Sequence, residues 1–156
     1  MLIWMASVMT QSRLIRANER VIETMIGLAG CSKQKPILIA GARSVELMLE
    51  LRRCGYIHTA GTANCGRPAG QYDVALVDWR QRTFRTLEKT LDWLMNFLSP
   101  TAVLVVWVDS QKPAANQELR GALESRGFVV EAIQAREDGV AFSARRYLQK
   151  PLSKAA

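Results

Sequence analysis

The chain has 156 residues, of which 49% are hydrophobic and 22% charged, and its formal net charge is +7. This length and composition predict one folded domain with a buried core and exclude wholesale disorder. Three cysteines without CxxC spacing argue against a disulfide framework and a zinc site, so we expect a cytoplasmic protein. The basic balance admits a nucleic-acid partner. Like charges occur only in pairs such as Arg52-Arg53, however, which favours a solvated basic surface instead.

The first 35 residues are predicted to pack on a domain formed by residues 36–156. The opening stretch MLIWMASVM is apolar, but it is too short to cross a bilayer and no basic residues precede it. We expect it to pack on the body or on a second subunit, which predicts a homo-oligomer without membrane association. Apolar residues at helical spacing then predict a helix over residues 10–28, and Gly30 ends it.

A strand, a glycine and a helix follow, which is how a parallel βαβ unit begins. Residues 37–40 are a short apolar strand, and the helix is predicted over residues 44–54 with Ser44 as its N-cap. Gly55 predicts the end of this helix. The pattern then predicts a second strand, a glycine-rich loop and a buried third strand, over residues 56–60, 61–71 and 72–78.

The second half of the chain predicts two more helices and three more strands. In chain order these are a helix over residues 82–98, a strand over 101–108, a helix over 116–126 and strands over 128–134 and 140–147. Ser99-Pro100 is expected to stop the first of these helices. Asp138-Gly139 is typical of a hairpin, so the last two strands should pair antiparallel. The predicted fold class is α/β, with three layers, a mostly parallel sheet, an N-terminal helix and a C-terminal antiparallel hairpin.

Candidate site residues follow the predicted parallel strands, whose carboxyl ends share the edge of a sheet where ligands bind. Gly41 and Ser44 would present backbone N–H groups at a helix start to an anion, although a plain tight turn also explains one glycine. Asp78 is the best functional candidate, with a helix-capping or loop carboxylate as the alternative. Trp79 could stack on a planar ring. His58 is the only histidine, which excludes a histidine-centred metal cluster, and we expect no metal.

Five segments together resemble the class I methyltransferases, a Rossmann-like family whose usual ligand is S-adenosylmethionine. They are the strand–turn–helix at 37–54, YDVALVD at 72–78, LSPTAVLVVWV at 98–108, RGFVVEAI at 126–133 and GVAFSARR at 139–146. The resemblance implies S-adenosylmethionine as the cofactor and a small-molecule site at the turn after the first strand. The cofactor-binding residues that it implies are Gly41, Ala42, Ser44, Asn64, Asp78 and Trp79, and it assigns no catalytic residue.

The resemblance is to an abbreviated and degenerate member. The acidic position of the family's first strand looks like Ile39, and residues 42–44 stand where the family has glycines. No Asp or Glu lies within residues 58–64 to hold the ribose hydroxyls, so only Asn64 could substitute. Residues 60–72 are also too few for the family's usual additional strand and helix. We therefore expect cofactor binding with weak or lost catalysis.

A second resemblance is to bacterial receiver domains, through ILIAG, LRRCGY and YDVALVDW, with Asp78 at the phosphoacceptor strand end. It ranks lower because residues 41–43 stand where receivers carry the acidic residues that bind Mg²⁺. Three functions stay open. The first is a methyltransferase-like protein that binds S-adenosylmethionine or a related nucleotide. The second is a non-catalytic assembly module, a homodimer through the N-terminal segment. The third is a basic nucleic-acid-associated module, supported by net charge alone.

Overall fold

The computed structural model of the chain describes residues 20–41, 43–61, 71–80, 83–109, 113–136 and 139–147. The elements within these ranges are α1 (residues 20–29), β1 (Ile37–Gly41), α2 (Ser44–Arg53), β2 (Thr59–Gly61), β3 (Tyr72–Trp79), α3 (Phe84–Met95), β4 (Leu98–Val108), α4 (Pro113–Glu124), β5 (Phe128–Arg136) and β6 (Gly139–Arg146). The apolar opening stretch, residues 1–9, and most of the predicted glycine-rich loop lie outside the described residues.

The strands form one six-stranded sheet in the order β2-β1-β3-β4-β6-β5. The first four strands of this order are parallel, whereas β6 pairs antiparallel with both β4 and β5. The prediction of a mostly parallel sheet closed by an antiparallel hairpin is therefore confirmed. The receiver resemblance fails here, because that architecture has no place for such a hairpin.

Helices cover both faces of the sheet, giving the three predicted layers. One face, here called the α1/α2 face, buries apolar residues of α1 and α2 against β1, β3 and β4. The opposite face, the α3/α4 face, buries the stripes of α3 and α4 against the same strands and β6. Coverage on both faces explains the unbroken apolar run of β4 over residues 102–108, where every side chain except the half-buried Val103 is buried.

Gly55 ends α2 in a Schellman motif, as the chain pattern predicts. Its φ is +97°, its N–H donates to the carbonyl of Arg52 at 3.1 Å, and the Tyr56 N–H donates to the carbonyl of Leu51 at 2.9 Å. The bond to Leu51 draws Tyr56 into the helix end, so the second strand begins later than predicted, at Thr59. His58 consequently precedes this strand and is exposed.

Three other predicted details are wrong. Ser44 is the first residue of α2 rather than its N-cap, because Arg43 occupies the cap position. Helix α3 ends at Met95, and Ser99-Pro100 belongs to the start of β4 instead of stopping the helix. The ladder between β3 and β4 is irregular at this end, where a proline without an N–H is tolerated.

No helix in the described part of the chain is long and apolar enough to cross a membrane.

Candidate functional site

The turn after β1 is fixed by a close approach of two backbones. Gly41 pairs with Asp78 across the parallel β1–β3 ladder and has a φ of +107°. A Cβ added to Gly41 would lie only 2.1 Å from the backbone oxygen of Asp78. Glycine is therefore required here by the sheet itself, and it aims the chain from the middle of the sheet into α2.

The start of α2 carries positive charge and lacks a side-chain cap. Arg43 occupies the N-cap position with φ −123° and ψ 38°, and no side chain caps the first turn. The guanidinium of Arg43 forms no ion pair or hydrogen bond within the described residues. Uncapped N–H groups, the helix dipole and Arg43 favour an anion at this end, while Glu46 in the first turn of α2 supplies one negative charge against them.

Asp78 ends the neighbouring strand as half of a buried ion pair. Its side chain is fully buried, and Arg80 contacts both carboxylate oxygens, with Nε 2.7 Å from Oδ1 and Nη2 2.5 Å from Oδ2. Two charge-assisted bonds of this geometry neutralise the carboxylate in place. Breaking the pair would leave an uncompensated buried charge, so Asp78 is anchored at the sheet edge.

The side chain of Trp79 lies on the α3/α4 face of the sheet. Its side chain is 5% exposed, its Nε1 donates to the carbonyl of Thr83 at 3.1 Å, and its ring lies 6.3 Å from that of Phe84. Thr83 also caps α3 by accepting from the N–H of Thr86. The indole thus helps to seat the start of α3 on the sheet.

The structure brings Gly41, Ser44 and Asp78 together at the carboxyl edge of β1 and β3, whereas Trp79 turns into the core. Ala42 and Asn64, the other two residues predicted to bind cofactor, lie outside the described residues. Sequence reasoning missed Arg80. Its signal was an arginine two positions after a buried strand-end aspartate. In the described part of the chain, no three His, Cys, Asp or Glu side chains are grouped to hold a metal ion.

No protein-family model matches the chain, and no curated protein matches its sequence. Solved structures do match its fold. The 1,6-didemethyltoxoflavin-N1-methyltransferase of Burkholderia thailandensis, solved with S-adenosylhomocysteine, is 13% identical with a TM-score of 0.57, covering 84% of this chain and 78% of its own. The magnesium protoporphyrin IX methyltransferase of Synechocystis PCC 6803, solved with S-adenosylmethionine, is 13% identical with a TM-score of 0.56, covering 83% and 79%. A SAM-dependent methyltransferase of Aquifex aeolicus is 12% identical with a TM-score of 0.54, covering 82% and 88%.

The chain therefore has the Rossmann-like fold of the class I methyltransferases, as the resemblance of its five segments implies. At these identities the likeness is one of fold, and function must be argued from the site.

Proposed function

We propose that the protein binds S-adenosylmethionine, or a related nucleotide, at the turn between β1 and α2, with weak or lost methyl transfer. The fold supports this proposal, since two similar structures hold S-adenosylmethionine or S-adenosylhomocysteine. The observation that carries it is the uncapped start of α2 with Arg43 at its N-cap position.

An anionic group would relieve two unfavourable features at once. The positive end of a helix repels a cation by about 0.3–1 kcal/mol and attracts an anion by a similar amount. A carboxylate beside Arg43 would also accept hydrogen bonds from the first-turn N–H groups of α2. S-adenosylmethionine offers such a carboxylate on its methionine part, and a nucleotide offers phosphate.

The remaining residues fit such a ligand only in part. The described strand β2, Thr59–Gly61, supplies no carboxylate for the ribose hydroxyls. The glycine at position 41 accommodates the backbone of Asp78, so its missing side chain opens no additional space for a ligand. The described residues therefore support contact with the anionic end of the ligand rather than with its ribose.

The polar groups at the edge also support weak or lost catalysis. Bound S-adenosylmethionine would supply an activated methyl group, so the protein's share of the reaction would be to orient an acceptor. Asp78 is the candidate acceptor contact, but both of its oxygens already accept from Arg80. An acceptor that needs a base would have to compete with this guanidinium.

Calorimetric titration of the full chain with S-adenosylmethionine and S-adenosylhomocysteine tests the proposal. We expect heat at micromolar ligand, and about tenfold weaker binding for Arg43→Gln, because a hydrogen-bonded ion contact is lost. Arg53→Gln is the matched control, since it removes the same charge at the far end of the same helix. No heat at millimolar ligand removes the proposal. An equal loss in both variants assigns the effect to net charge rather than to this site.

The exposed face of α2 favours an alternative function, a non-catalytic assembly module. Val45 and Leu49 lie one turn apart on one helix face and are 62% and 60% exposed. Adjacent exposed apolar side chains suit contact with another chain, and the N-terminal segment would add to it in a homodimer. Deleting residues 1–9 should then lower the mass per particle in solution. Val129→Glu, at the opposite edge of the sheet, should not, and an unchanged mass after the deletion contradicts the alternative.

A further inference from the structure

A groove lies on the α3/α4 face, between α4 and the hairpin of β5 and β6. Its volume is about 490 Å³, within the range of about 300–1,000 Å³ that is usual for small-molecule sites. Ile133, Ala135 and Phe142 are among the residues of its floor, and Asn116 and Arg120 are among those of its helical wall.

The floor is apolar and open because α4 does not cover the outer strand. Ile133 pairs with Phe142 across the antiparallel ladder, so both side chains stand on the same face. Phe142 is buried in the core, whereas Ile133 is 49% exposed. Helix α4 buries the side chains of Leu119 and Leu123. Apolar surface is thus left beside the helix, where a ligand would remove it from water.

Asn116 lies in the wall of this groove and carries an unsatisfied acceptor. Its Oδ1 atom is buried and has no hydrogen-bond partner within the described residues. A buried polar atom without a partner is destabilising, but this atom has no surface open to the groove, so it provides no contact for a ligand.

Arg120 gives the same wall a positive charge. It lies four residues after Asn116, hence on the same side of α4, and it is exposed. Among the described residues, Arg120 forms no ion pair and no carboxylate lines the groove. The described lining of the groove therefore carries a positive charge.

We propose that this groove binds a small amphipathic anion. The apolar body of the ligand lies on Ile133 and Phe142, and a carboxylate or sulfonate faces Arg120. Strands β3 and β4 separate the groove from β1, where the proposed nucleotide site begins. The two sites are distinct, and this proposal does not depend on the first.

The dye 8-anilinonaphthalene-1-sulfonate is a suitable probe, because it combines aromatic rings with an anion. Its uncharged analogue N-phenyl-1-naphthylamine lacks only the sulfonate. Fluorescence titration of the full chain should show both dyes binding, and Ala135→Phe should abolish both by filling the floor. Ala135 is exposed, so the larger ring is accommodated without disturbing the core.

Two wall variants separate the contributions. Arg120→Gln should weaken the sulfonate dye roughly fivefold and leave the neutral dye unchanged. Arg85→Gln, an exposed arginine of α3, is the matched control and should change neither. Asn116→Leu should leave the binding of both dyes unchanged and raise the urea midpoint of unfolding, because it removes an unsatisfied buried acceptor that contacts no ligand.

Three results would overturn the proposal. Undiminished dye binding by Ala135→Phe places the dye elsewhere, such as on the exposed face of α2. Equal effects of Arg120→Gln on both dyes remove the anion from the ligand. A lower mass per particle for Ala135→Phe makes the groove a contact between copies of the chain instead of a ligand site.

Discussion

The two ends of the sheet are built differently. At the β2 end the outer strand has three residues, and α2 carries an uncapped start and two exposed apolar side chains. At the β5 end, the nine-residue β5 pairs with the eight-residue β6, which also pairs with β4. The β2 end thus has few strand pairings of its own and leaves the first N–H groups of α2 uncapped, whereas the backbone of the hairpin end is paired over a greater length.

Arg146 links the hairpin to β4, although its Nε is buried without a hydrogen-bond partner within the described residues. Its guanidinium donates to the carbonyls of Leu98 at 2.8 Å and Ser99 at 3.4 Å, which ties the end of β6 to the start of β4. Burial lowers the pKa of this guanidinium, yet an arginine stays charged at neutral pH. At the β2 end the comparable clamp is Arg52 of α2, whose Nε and Nη2 donate to the hydroxyl and carbonyl oxygens of Thr59, each at 3.1 Å.

The attachment of the β2 end to the rest of the sheet should also depend on Gly41, which pairs with Asp78 where β1 meets β3. Gly41→Ala combines a positive φ with a Cβ 2.1 Å from a backbone oxygen, so we expect a loss of about 3–5 kcal/mol in the free energy of unfolding. Gly121→Ala makes the same change at an exposed position of α4 with open space around it, and should gain about 0.5–1 kcal/mol. Urea unfolding measures both. Similar changes in the free energy of unfolding for the two variants would show that the backbones of β1 and β3 can move apart to accommodate a Cβ at position 41.

The ion pair at the middle of the sheet edge should rank next. Asp78→Ala removes a fully buried carboxylate and both of its charge-assisted bonds to Arg80, and should cost about 3 kcal/mol. Asp92→Ala also removes a carboxylate from an arginine, Arg126, but Asp92 is 67% exposed, so the loss should stay below about 1 kcal/mol. Unfolding in urea compares them, and equal losses would mean that burial does not set the strength of the Asp78 pair.

The stability of the hairpin end should depend on a side chain, that of Arg146. Arg146→Lys keeps the charge but loses the guanidinium Nη1, the single atom that donates to the carbonyls of Leu98 and Ser99, and should cost about 1–2 kcal/mol. Arg145→Lys affects a half-exposed arginine on the other face, paired with Glu131 at 3.3 Å, and should cost less than about 0.5 kcal/mol. Thermal unfolding of the two variants tests the ranking, which fails if Arg145→Lys is the more destabilising.

Residue patterns predicted the fold well where a single physical constraint dominates. The unbroken apolar run of β4 requires cover on both faces, and Asp138-Gly139 requires a tight reversal, so the sheet and its hairpin follow. The predicted ends of helices and strands were wrong where a residue fits the pattern of two neighbouring elements. Leu98 continues the helical stripe of α3, but it belongs to β4, and only the packed sheet decides between the two.

The candidate site was predictable in its location more than in its contacts. Parallel strands put Gly41 and Asp78 at one edge, and strand alternation already implies that Trp79 faces away from Asp78. The pairing of Asp78 with Arg80 was not predictable, because it depends on how deeply the carboxylate is buried and on the chain path after β3. The N-cap of α2 was also predicted wrongly, as Ser44 instead of Arg43, because serine is the preferred capping residue.

A substitution of Arg43 should have the smallest effect on the free energy of unfolding, and it tests whether the β2 end is adapted to a ligand. An aspartate at this position would replace a repelled cation with an attracted anion and could cap the first turn of α2, so Arg43→Asp should raise the free energy of unfolding by about 1 kcal/mol. The same substitution should abolish binding of an anionic ligand at the β1–α2 turn. A variant that is both more stable and unable to bind would indicate that the unfavourable charge is retained for a ligand. Urea unfolding paired with calorimetric titration checks this. A loss of stability would instead mean that Arg43 stabilises α2 without a ligand.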